Sequence, residues 1–124
     1  MELNPDKDLE IDVANLTTEF REFPLKLYRY CQQKARAESI RDIAKATLRE
    51  AKAVAYKRIK SDTSVKHTEK SMEAEIDTDQ VVMEANKKLI RAEHDSSTWA
   101  GAVDSMKAKK DVLIQLGSDR RKEL

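Results

Sequence analysis

The chain has 124 residues, enough for one domain or one domain with an appendage. Charged residues make up 38% and aromatics 5%, with only two Gly and two Pro, a composition usual for helical chains and often for coiled coils. Mean hydropathy is −0.73, but the net charge is only +1 and the apolar residues recur at regular spacing, which argues against disorder.

The first dozen residues, MELNPDKDLEID, are acidic and lack signal-peptide character. Leu9, Ile11 and Val13 alternate with polar residues, a short strand signal. Asp12 is a suitable N-cap for a helix starting near Val13. Pro24 is expected to break that helix, so residues 1–23 read as a small N-terminal segment and 24–124 as a helical hairpin.

Pro24 to Ser61 contains no helix breaker, and its many alanines favour helix and close approach of a partner. Tyr28, Ile40, Ile43, Val54 and Ile59 are its larger apolar residues. Cys31, the single cysteine, cannot form an intrachain disulfide and is expected to be a buried small hydrophobe in a reducing compartment. Ser61-Asp62-Thr63-Ser64 reads as a turn or helix terminus. Thr68 should cap a short helix from Glu69 to about Ile76, and Asp77, Thr78 or Asp79 should cap the last one.

That last helix carries a heptad seam: Val82, Ala85, Leu89, Ala92, Ser96, Trp99, Val103, Met106, Lys110 and Leu113 follow a 3-4-3-4 spacing. Ser96 and Lys110 are its polar positions, and Gly117 marks the expected end of regular packing. The fold class is therefore mainly α, a long antiparallel coiled-coil-like hairpin. Two helices alone leave Trp99, Ile114 or Leu116 in need of partners, so a homo-oligomer is expected.

No apolar run approaches the ~20 residues of a membrane helix, and a soluble, intracellular protein is expected. Catalysis finds little support: two His and one Cys have no metal-site spacing, and Gly101 and Gly117 are too isolated for a phosphate loop. The expected chain is no enzyme and has no metal or cofactor. Trp99 reads as a packed core aromatic.

The informative feature is a basic corner at about residues 56–70. Ala51 to Ser61 holds four bases and no acid. Arg49, Lys52, Lys57, Arg58, Lys60, Lys66 and Lys70 lie close along the chain, with Tyr56 among them, either packed or available for stacking. Like charges this dense repel and are more easily explained by a polyanionic partner. Nucleic acid is one such partner, bound through phosphates and a stacked base. An acidic protein surface is the other, in which case the chain is a helical scaffold or assembly protein. A third reading has the acidic N-terminus of one subunit cap the basic corner of the next.

In the order of its pieces the sequence resembles phage recombination mediator proteins of the UvsY type. The resemblance runs through LEIDVANL, LYRYCQQKARAESI, REAKAVAYKRIKSD, VKHTEKSMEAEIDTD and the terminal ANKKLIRAEHDSSTWAGAVDSMKAKKDVLIQL with its KxKKDxLxxL pattern. It implies a largely helical protein that forms a homo-oligomeric ring in the host cytoplasm. Such a protein binds single-stranded DNA in recombination, repair or replication. It helps a RecA-like recombinase load onto strands coated by single-strand-binding protein. It also implies DNA contacts in AYKRIK, where Lys57 matches the first base of the family's LKARL-like run, Arg58 falls one place early and Lys60 late. The terminal helix would hold the assembly through Val82, Leu89, Trp99, Val103, Met106 and Leu113.

Overall fold

The computed structural model describes residues 2–62, 64 and 66–123; it is 89% helical, and no strand occurs among the described residues. The elements are α1 (Pro5–Asp8), a 3-10 turn (Val13–Asn15), α2 (Leu16–Ser61), α3 (Glu69–Thr78) and α4 (Gln80–Glu123). They form two compact units, Met1–Arg36 with Ser96–Leu124, and Ala37–Asp95. Both contain one stretch of α2 and one of α4.

The first unit has the larger core: Leu16, Phe23 and Tyr30 from α2 meet Val103, Met106 and Leu113 from α4. The three α2 residues recur every seven positions and so share one helical stripe. That stripe explains why α2 does not break at Pro24 as expected. Proline denies the Phe20 carbonyl its helical donor, a loss of about 3 kcal/mol in a helix interior. Burying Leu16, Phe23 and Tyr30 on either side, at roughly 1.5–3 kcal/mol each, offsets it.

The N-terminal segment forms a third layer here. Its alternating residues build no strand, because no second strand lies beside them. Leu3, Leu9 and Ile11 instead pack on the core, while Val13 stays exposed. Asn4 caps α1 and Asp12 caps the 3-10 turn, accepting from the Ala14 N–H at 3.1 Å. Tyr30, fully buried beside Trp99 (ring centroids 6.0 Å apart), donates its hydroxyl to Asp8 Oδ2 at 2.7 Å. Burial first, then Asp8, pushes the phenol far above its ordinary range, so it remains a donor.

Lys109 closes the layer. The seam was expected to place Lys110 inside, but Lys110 is exposed and Lys109 is 6% exposed. Steps of three and four from Met106 reach Leu113 by way of Lys109 equally well, and of the two lysines only Lys109 has partners among the described residues. Its ammonium lies 2.6 Å from the Asp8 carbonyl, 2.9 Å from the Glu10 carbonyl and 3.0 Å from the Glu19 carboxylate. Three oxygens thus surround a group with three protons.

The second unit has a smaller core of Leu48, Ala55, Val82 and Ala85, on which Ala51, Ile76 and Leu89 pack. Of the larger apolar residues of α2 named from the sequence, only Ile59 is buried. Ile40, Ile43 and Val54 are 54%, 66% and 61% exposed, and Tyr28 of the first unit is exposed too. Cys31 is exposed rather than buried, lying one residue beyond Tyr30 and off the seam.

Helix α2 ends at Ser61, where the Ser61 hydroxyl donates to the Arg58 carbonyl and Asp62 accepts from the Ser64 N–H. Thr63, the third residue of the expected turn, lies outside the described residues. Thr68 caps α3 in a capping box with Ser71, and Asp79 caps α4 through the N–H groups of Val81 and Val82. Helix α4 continues past Gly117 to Glu123. Gly117 is a close-approach site: a Cβ there would stand 3.1 Å from the tip of the Phe20 ring.

Two substitutions test this account by chemical denaturation. Lys109→Met should cost about 3 kcal/mol, because it leaves the Glu19 carboxylate and two carbonyls without their cation. Gly101→Ala should gain roughly 0.5–1 kcal/mol, since Gly101 is exposed inside α4 and an added Cβ meets nothing within 4 Å.

Candidate functional site

At 100° per residue the basic residues of α2 separate onto different faces. Arg49, Lys52, Tyr56 and Lys60 fall on one flank of the helix, beside the buried stripe of Leu48, Ala55 and Ile59. Lys45, which the sequence reading passed over, extends this flank by one turn. The spacing Lys45-Arg49-Lys52-Tyr56-Lys60 runs 4-3-4-4 and is about 22 Å long at 1.5 Å per residue. Its signal is this period itself, which a count of nearby charges along the chain does not reveal.

All five side chains are exposed, and no acidic residue of α2 interrupts the flank between Lys45 and Lys60. Lys60 Nζ sits over the Tyr56 ring, 5.6 Å from its centroid, a cation–π contact that holds the ring beside the charge. A groove next to Lys52 is lined by Asp77, Val82, Met83, Asn86 and Lys87. It therefore adds one more cation and one carboxylate. Among the described residues no ion pair ties Lys45, Arg49, Lys52 or Lys60.

The remaining basic residues go elsewhere. Lys57 points away from the buried stripe. Arg58 is committed to the corner: its Nη2 donates to Asp79 Oδ2 at 2.5 Å, and that carboxylate also receives the first N–H groups of α4. Lys66 precedes α3 and Lys70 lies in its first turn, both exposed.

The residues expected to hold subunits together lie within the chain's own cores. Val82, Val103, Met106 and Leu113 are buried against α2, and Leu89 and Trp99 pack on the same cores. Asp8 is engaged by Tyr30 and Lys26 of its own chain. Among the described residues no group of three His, Cys, Asp or Glu could hold a metal ion. No helix described is long and apolar enough to cross a membrane.

Comparison of the chain with protein-family models, characterised proteins and solved structures finds no match.

Asp79 predicts a pH dependence. Arg58 first, then the Val82 and Val81 N–H groups, hold its carboxyl below the ordinary carboxylate range. With the folded value below the unfolded one, the unfolded chain binds more protons between them. The contribution is full above about pH 3.9 and is lost as pH falls through the lower folded value. Asp79→Asn keeps an N-cap but removes this titration, so its melting temperature should fall less steeply below pH ~4 than that of the parent chain. Asp62, whose carboxyl is held low by Ser64, should show the same direction of change when converted to Asn.

Proposed function

We propose that the chain is a non-enzymatic recombination mediator that binds single-stranded DNA and helps a RecA-like recombinase displace single-strand-binding protein. The observation that carries the DNA-binding part is the exposed flank of Lys45, Arg49, Lys52 and Lys60 with Tyr56 within it, along which α2 itself supplies no acid between Lys45 and Lys60. Four cations along one side of a helix can follow a phosphate backbone, and an aromatic among them offers a stacking face for any base. Binding of this kind tolerates any sequence, which suits a protein that acts wherever a strand is exposed. The recombinase and the coating protein enter through the resemblance of the sequence to UvsY-type mediators. The homo-oligomer belongs to the same proposal, since several copies would align several such flanks on one strand.

Fluorescence anisotropy of a labelled single strand across a salt series tests this. Neutralising four phosphates per chain gives a log–log slope of about −3. Changing Arg49 and Lys52 together to Ala should reduce that slope by roughly 1.4 while helicity is unchanged, and Tyr56→Ala should cost about 1–3 kcal/mol of binding. Arg58→Ala should affect stability more than affinity. No binding by the folded chain at low salt would overturn the proposal and leave the flank as a dock for an acidic protein. Tight binding would justify a recombinase-loading assay.

A further inference from the structure

The second unit leaves an apolar flank uncovered. It lies half a turn round α2 from the basic flank, at Ile40, Ile43, Thr47 and Val54, with Val81 of α4 beside it; the four larger apolar residues are all more than half exposed. Two grooves run along it. One is lined by Ile40, Ile43, Ala44 and Thr47 with Lys88, Arg91 and Asp95. The other is lined by Thr47, Ala51 and Val54 with Glu50, Arg58 and Asp79.

We infer that two copies of this chain associate through this flank, α2 against α2 antiparallel, about a two-fold axis at Thr47. The inference deepens the homo-oligomer part of the reading above and does not depend on DNA binding. Three features of the flank carry it. Ile40 and Val54 each lie seven residues from Thr47, so a two-fold there sets Ile40 of one copy opposite Val54 of the other. Ile43 then meets Ala51. The same operation sets Glu50 opposite Ala44, inside the groove that Arg91 and Lys88 line, while Asp95 is carried towards the Arg58 end of the second copy. The charges of the two grooves are thus complementary under the operation that matches their apolar residues. Ala44, Thr47 and Ala51 are small enough to let the helices approach. The seam of α4 is already buried within the chain, so this flank remains for self-contact, and using it leaves both basic flanks facing outward.

Sedimentation equilibrium of the full chain without DNA tests the inference. The parent chain should sediment as a dimer or a multiple of one. Ile43→Glu should reduce it to single chains with helicity and melting temperature retained, because Ile43 supports no core of its own. Glu50→Arg and Arg91→Glu should each weaken association about ten-fold, and the two together should restore it. Thr47→Cys in a Cys31→Ser background should oxidise to an interchain disulfide, since near the axis the two Cα atoms fall within the ~7 Å that a disulfide spans. A parent chain that sediments as one copy, or an Ile43→Glu chain that keeps the parent's mass, would overturn the inference. Neither result would bear on the salt slope for single-stranded DNA, so this proposal and the mediator reading fail separately.

Discussion

A pair of helices can bury only one stripe on each, and the architecture follows from how each unit deals with that limit. In the first unit the N-terminal segment supplies a third layer. Leu3, Leu9 and Ile11 cover the paired stripes, and the buried Lys109 holds the segment's carbonyls in place. A lysine is costly to bury, but here each proton faces an oxygen, so the cost is met by specificity of position. In the second unit only Ile76 of α3 adds to a core made mostly of alanine and valine. Ile40, Ile43, Val54, Val81 and Ile90 of this unit stand in solvent.

Composition alone treats the basic residues as one group, and geometry sorts them into three. Lys109 is a buried structural cation. Arg58 is a corner tie, joined to the carboxylate that starts α4. Lys45, Arg49, Lys52 and Lys60 form an open flank where repulsion between neighbours is relieved only by solvent, salt or a polyanion. Of these three, the last group can meet a ligand without weakening the fold, as can the exposed Lys57, Lys66 and Lys70. The division also explains why the consecutive pair Lys57-Arg58 does not form one patch in space: consecutive helical residues point 100° apart.

Much of the helical framework was legible in the sequence because it rests on local rules. Asp12, Thr68 and Asp79 are caps because short polar side chains reach nearby N–H groups, and the α4 seam is visible because its period is unbroken from Val82 to Met106. Errors arose where distant contacts decide. Pro24 lies inside a helix because a stripe spaced at sevens holds both sides of it. Ile40, Ile43 and Val54 are exposed because the α2 stripe runs through Leu48, Ala55 and Ile59, on a different side of the helix. Lys109 displaces Lys110 because its partners come from a segment some hundred residues away. The basic flank was partly legible: Arg49, Lys52, Tyr56 and Lys60 were picked out by density, and Lys45 needed the helical period.

The placement of the two cores along the chain has a further consequence for how the fold is reached. Ala55 and Val82 of the smaller core lie close together in sequence, on either side of the corner, whereas Leu16 and Leu113 of the larger core are nearly a chain length apart. Loop-closure entropy makes the first pairing cheaper than the second by about 1 kcal/mol. The half with less apolar surface to bury therefore has the shorter path to closure, and once it is zipped the longer loop is no longer open. Stability and accessibility are thus divided between the two cores: one holds the native state, and the other lies nearest to it from the unfolded chain.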